Sequence, residues 1–143
     1  IQTWRRIAET IHENWESLGN LLEYCDNDFL KLKNILQNTH KKCFPYLSGP
    51  KIFNYWNFVM STPAYGNVKL LNREYVDIAP DTHITKCSAR LGVITQSEAD
   101  TWSREKISER WRERLAGSGI DPIDMHPPLW FWSRNNFQYI LPE

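Results

Sequence analysis

Ala79-Pro80-Asp81-Thr82-His83-Ile84 is the stretch where irregular chain turns into an amphipathic helix. Asp is a favoured N-cap, so a helix is expected over 81–91, with Gly92 as its stop. Thirty positions upstream (81 − 51), Lys51 opens another helix behind the turn Leu47-Ser48-Gly49-Pro50. Pro50 suits the first helical position, where its missing N–H leaves nothing unpaired. That helix is expected over 50–60, carrying Lys51, Ile52, Tyr55, Trp56 and Val59. Two helix starts, one bearing an amine and one a carboxylate, can face a shared cleft. An amine nucleophile beside an anion that steadies developing positive charge is one way to displace a group from a sugar carbon.

The rest of the chain reads as helices with short connections. Trp4, Ile7, Ala8, Ile11 and Trp15 recur at three- and four-residue intervals, so 1–16 is expected to be helical, broken at Leu18-Gly19. Asp26-Asn27-Asp28 supplies capping side chains for a second helix over 28–40, with Lys41-Lys42 at its cation-favouring end. Residues 67–78 carry weak strand character through Val68, Leu70 and Tyr75-Val76, enough for one short β-hairpin. Thr95-Gln96-Ser97-Glu98 is a capping-box pattern opening a long helix over 96–116, stopped by Gly117-Ser118-Gly119. A short helix is expected in the tail, where Leu129-Trp130-Phe131-Trp132 follows Pro127-Pro128. The expected class is mainly α: a helical bundle forming one domain over 1–143, with the hairpin and its following helix at 47–60.

Bulk properties narrow the possibilities. A chain of 143 residues fits one compact domain, and 41% hydrophobic with 24% charged residues is an ordinary globular balance. Seventeen basic and seventeen acidic side chains cancel. That disfavours a protein coating nucleic acid by charge alone, yet permits one local basic face. No apolar run approaches the ~18 residues of a membrane span, so no membrane partner is expected. Cys25, Cys43 and Cys87 lack metal-ligand spacing, so no metal is expected. An odd cysteine count without a disulfide framework fits a reducing, intracellular setting, in cytoplasm, nucleoid or nucleus. The first residue is Ile1, which fits a processed chain or a fragment.

Taken together, Leu47-Ser48-Gly49-Pro50-Lys51 and Pro80-Asp81-Thr82-His83-Ile84, continuing to Arg90-Leu91-Gly92, resemble the helix-hairpin-helix DNA glycosylase superfamily. The likeness covers roughly 44–94 and is closest in layout to the archaeal-type 8-oxoguanine glycosylases. By that resemblance Lys51 matches the lysine that attacks the anomeric carbon and forms a Schiff base, and Asp81 matches the essential aspartate. Leu47, Ser48 and Gly49 match the hairpin whose backbone N–H groups approach a DNA phosphate. Tyr55, one turn beyond Lys51, falls where the family lines its base pocket. Trp130, then Trp132, is the choice for a stacking aromatic, with Asp124 and His126 as hydrogen-bonding groups for a base edge. The resemblance implies double-stranded DNA with a damaged base as substrate, a monomer, no cofactor, and base excision followed by abasic-site cleavage.

Local physics agrees with those two roles. An amine is nucleophilic only when neutral, and the positive end of a helix dipole disfavours an ammonium at Lys51. The same field favours a charged carboxylate at Asp81. The pattern departs from the family in three ways. The hairpin keeps one glycine where many members have two. The Lys51-to-Asp81 interval is longer than in endonuclease III-like enzymes. The 46 residues before the hairpin supply fewer helices than usual, as in a minimal member or a chain lacking an upstream portion. Taken singly, a lysine at a helix start is usually a solvated surface group, an Asp before a helix is usually only a cap, and His83 is expected to pack or hydrogen-bond. Two competing functions share the composition: a non-catalytic helix-hairpin-helix DNA-binding module, and a helical protein-interaction domain presenting tail tryptophans.

Overall fold

The computed structural model describes residues 1–138. The chain is mainly helical, with eight α-helices and no strand among the described residues. These are α1 (Gln2–Trp15), α2 (Leu18–Tyr24), α3 (Phe29–Asn34), α4 (Pro50–Ser61), α5 (Thr82–Arg90), α6 (Gln96–Thr101), α7 (Arg104–Leu115) and α8 (His126–Arg134). They fall into two compact units, Ile1–Tyr75 and Val76–Glu143.

In the first unit, Trp15 at the end of α1 joins neighbouring elements through rings. It lies 6.1 Å from Tyr24, 5.3 Å from His40 and 6.4 Å from Phe44, centroid to centroid. Phe29 of α3 stacks on Phe53 of α4 at 5.5 Å, and both are fully buried. Full burial of one such side chain contributes roughly 1.5–3 kcal/mol. Leu18-Gly19 does not end the first helix as a break before coil. α1 ends instead at Trp15, where Glu16 turns left-handed (φ 66°); Ser17 then accepts from the Asn20 N–H, and Leu18 and Gly19 lie inside α2. Asp28 alone of its acidic cluster caps α3, through the Leu30 N–H at 2.8 Å. Asp26 and Asn27 instead take left-handed backbone conformations (φ 55° and 52°). The expected 28–40 helix changes character midway, becoming a π-helix at Ile35–Thr39.

The short β-hairpin expected at 67–78 is absent, and the hydrogen bonds explain why. Gly66 N–H donates to the Val59 carbonyl and Val68 N–H to the Met60 carbonyl, so this segment caps the end of α4. Leu71 pairs instead with the α3 entrance, in one parallel bridge to Asp28. The Asn72 side-chain amide adds a 3.0 Å bond to Asp28. Backbone groups that a hairpin partner would need are already satisfied elsewhere.

The second unit gathers Ile78, Ile84, Cys87, Ile94, Ile107, Trp111 and Leu129 into its core. Here α5 packs chiefly against α8. Trp111 satisfies its indole N–H on Ser88 Oγ at 2.8 Å, and Ser88 donates in turn to the Ile84 carbonyl at 2.7 Å. The expected 96–116 helix is two helices. The Thr95–Glu98 capping box forms as its sequence pattern implies. But Trp102 is extended (ψ 146°), and Ser103 caps a fresh start at Lys106 N–H. Gly117 and Gly119, both at φ 77°, lie just beyond the end of α7.

Gly66 offers a sharp check on the first unit. A Cβ there would lie 2.4 Å from the Met60 carbonyl oxygen and 2.8 Å from Met60 Cα, both backbone atoms that cannot rotate away. Gly66→Ala should lose about 1–3 kcal/mol in urea unfolding, the range of overpacking changes. An unchanged midpoint would contradict the close approach of this turn to α4.

Candidate functional site

The turn leading into α4 is built without help from its glycine's flexibility. Gly49 is extended (φ −99°, ψ 154°), while Tyr46 is the left-handed residue of the turn (φ 67°). A Cβ at Gly49 would meet only ordinary contact, 3.5 Å from the Tyr46 carbonyl oxygen. Ser48 N–H donates to the Phe44 carbonyl and Gly49 N–H to the Tyr46 carbonyl, so both amides already serve the turn. Leu47 is a core side chain, 1% exposed. Gly49 is the N-cap of α4 and supplies no side-chain cap, and Pro50 follows at the first helical position.

Lys51 and Tyr55 stand one turn apart on the exposed face of α4, with Tyr55 67% exposed. The opposite face carries Phe53, Asn57 and Met60 into the unit's interior. Asn57 is fully buried, with its amide N–H donating to the Phe53 carbonyl at 2.8 Å.

Asp81 is the N-cap of α5. Its Oδ1 accepts the Ile84 N–H at 2.9 Å, so the carboxylate is fixed at the positive end of the helix dipole. The side chain is half-buried and lies on the wall of an open cleft of about 390 Å³. Thr82, Thr85 and Lys86 of α5 line one side of it, and Asp100, Trp102 and Arg104 the other. Pro80, Ala89 and Ile107 make apolar wall. The cleft therefore offers carboxylates, cations, hydroxyls and one large aromatic.

Trp130 and Trp132 do not line this cleft. Both are half-buried on α8 and pack against the second unit's core. Trp130 meets the His83 ring edge-on at 5.4 Å, and the Arg134 guanidinium lies 4.9 Å from its ring centroid. Trp132 meets Phe137 edge-on at 4.8 Å. His83 packs and hydrogen-bonds as expected, its Nδ1 lying 3.0 Å from Ser133 Oγ. His126 Nδ1 is 2.6 Å from the Ile78 carbonyl oxygen. A carbonyl only accepts, so that nitrogen carries the proton and Nε2 is left for any other partner. Asp124 is exposed on the 3₁₀ turn before α8.

The sequence-selected residues thus divide between the units. Leu47, Ser48, Gly49, Lys51 and Tyr55 belong to the first; Asp81, Asp124, His126, Trp130 and Trp132 belong to the second. Thr85 and Lys86 were missed, although they lie one turn beyond Asp81 and Thr82 and so share their face of α5. Trp102 and Arg104 were missed because 96–116 read as one helix. Its break at Trp102-Ser103 is what puts them on the cleft wall.

Compared with known proteins, the chain matches no family model, no curated protein and no solved structure. No helix among the described residues is long and apolar enough to cross a membrane. Among them, too, no group of three or more His, Cys, Asp or Glu side chains could hold a metal ion.

All three cysteines are free thiols. Burial, then the nearby Asp26 charge, pushes the Cys25 thiol up to about 11. Burial likewise raises Cys87, whose S–H donates to the Leu129 carbonyl at 3.1 Å. Cys43 is only half-buried. With a disulfide reagent at pH 8, Cys43 should react first, and Cys25 and Cys87 at least about 100-fold more slowly, since thiolate and access are both required. Equal rates for all three thiols would contradict this burial pattern.

Proposed function

We propose that this chain is a base-excision DNA glycosylase with abasic-site lyase activity, acting as a monomer on double-stranded DNA that carries a damaged base. By the resemblance in its two motifs, 8-oxoguanine is the favoured lesion and the setting is intracellular. The observation that carries the proposal is Asp81, a carboxylate fixed at a helix start on the wall of a cleft. The amine partner, Lys51, opens α4 behind a glycine-capped turn and is exposed with Tyr55 on the same face.

In the proposed reaction the target nucleotide leaves the stack, which makes its sugar carbon reachable. The Lys51 Nζ lone pair forms a bond to C1′. The glycosidic bond breaks, and its electron pair departs with the base, which takes up a proton. Asp81 stabilises the positive charge that develops on the sugar. The amine gives up a proton and the sugar ring opens to a Schiff base. Loss of a C2′ proton then expels the 3′ phosphate. One Asp81 oxygen is occupied by the Ile84 N–H, and a carboxylate has lone pairs left for this work.

A second reading, a helical protein-interaction domain, draws on Phe131, which is 59% exposed on α8 beside Trp130. Borohydride trapping separates the two. An oligonucleotide containing 8-oxoguanine should become covalently bound to the wild-type chain, and Lys51→Gln should abolish that adduct. Trapping that survives the substitution would remove Lys51 from the mechanism, and no adduct across a panel of lesions would remove the lyase.

Asp81→Asn is informative because Asn caps a helix about as well as Asp. Stability should therefore stay within about 0.5 kcal/mol, while the base-release rate falls by at least about 100-fold. Unchanged base release would leave Asp81 with capping alone.

A further inference from the structure

The segment that delivers Asp81 is held more tightly than a connecting loop needs to be. Ala79 has a left-handed backbone (φ 54°) although it is not glycine. It also precedes Pro80, a position whose backbone choices are already restricted. Such a conformation persists only when its surroundings over-determine it.

Those surroundings can be named. The Asp77 carboxylate accepts the Ala79 N–H, and the same oxygen accepts the Ser108 hydroxyl at 2.7 Å, tying the segment to α7. The Ile78 carbonyl accepts the His126 Nδ1–H at 2.6 Å, tying it to the start of α8. Val76 and Ile78 are fully buried, and Pro80 is buried as well. Anchors from two helices and the core therefore converge on the residues just before Asp81. A plain loop entering a helix requires only its cap.

We propose that Asp77, with Ser108 and His126, is a positioning residue for Asp81: it holds Ala79 in its strained conformation and so fixes the carboxylate at the cleft wall. This rests on the reading of Asp81 as the working carboxylate. Asp77 touches no substrate and acts only through the backbone it holds.

Two readouts test it, one of which needs no DNA. The Ile84 amide donates to Asp81, so its hydrogen exchange reports the carboxylate's placement. Asp77→Ala should speed exchange at Ile84 by about tenfold while amides in the middle of α5 change by less than about twofold. Asp77→Asn should restore protection, because its side-chain oxygen still accepts the Ala79 N–H. Ser108→Ala, a milder change, should shift Ile84 in the same direction by a smaller factor. In single-turnover base release, Asp77→Ala should slow the chemical step about tenfold with DNA affinity unchanged, as a small misplacement of a reacting group does.

If Asp77→Ala and Ser108→Ala both leave Ile84 protected, or if all α5 amides speed up together, the positioning role is overturned. Selective loss at Ile84, rescued by Asn, supports it even if the wild-type chain proves to release no base. In that case the glycosylase proposal fails alone.

Discussion

One hydrogen bond sets the start of α5: the Ile84 N–H to Asp81 Oδ1, at 2.9 Å. It closes the first turn of α5, and it also decides where a negative charge resides. A helix start presents N–H groups with no partner inside the helix, together with the positive end of the dipole. A carboxylate placed there stabilises the helix. The same placement leaves the carboxylate beside a cleft that Lys86, Asp100, Trp102 and Arg104 also line. The cap and the proposed catalysis thus draw on the same side chain, and a substitution that keeps the cap while removing the charge can separate them.

The first unit handles its helix start in the opposite way. Gly49 supplies no capping side chain and Pro50 supplies no N–H, so no side-chain hydrogen bond caps the start of α4. Lys51 follows on the exposed face while Phe53 anchors the other face against Phe29. A Cβ at Gly49 would fit, and its backbone is extended. Neither conformation nor internal crowding therefore demands glycine here.

Much of the helical framework was legible because its signals are local. Asp28, Asp81 and the Thr95–Glu98 pair cap helices, and Pro50 opens one, as their side chains and ring geometry imply. The failures lie where tertiary partners decide. Leu18-Gly19 reads as a break, yet Ser17 restarts the helix and Leu21 and Leu22 bury it. Residues 67–75 carry β-branched and aromatic side chains, but their backbone bonds go to α4 and the α3 entrance. The apolar spacing of Trp102, Ile107 and Trp111 runs across a helix break, because periodicity does not register one extended residue. At the candidate site, the position of Asp81 at a helix start could be picked from its capping pattern. The Asp77–Ser108 and His126–Ile78 ties could not, since 31 and 48 residues separate their partners.

The proposed base excision requires the amine of Lys51 and the carboxylate of Asp81 to act on one nucleotide. A crystal structure of the chain bound to duplex DNA containing a non-cleavable abasic-site analogue tests it most directly. The Lys51 nitrogen is expected within about 3–3.5 Å of the C1′ position, the separation of a near-attack arrangement, with the Asp81 carboxylate against the same sugar. A complex in which the sugar touches neither group, or only one of them, would contradict it.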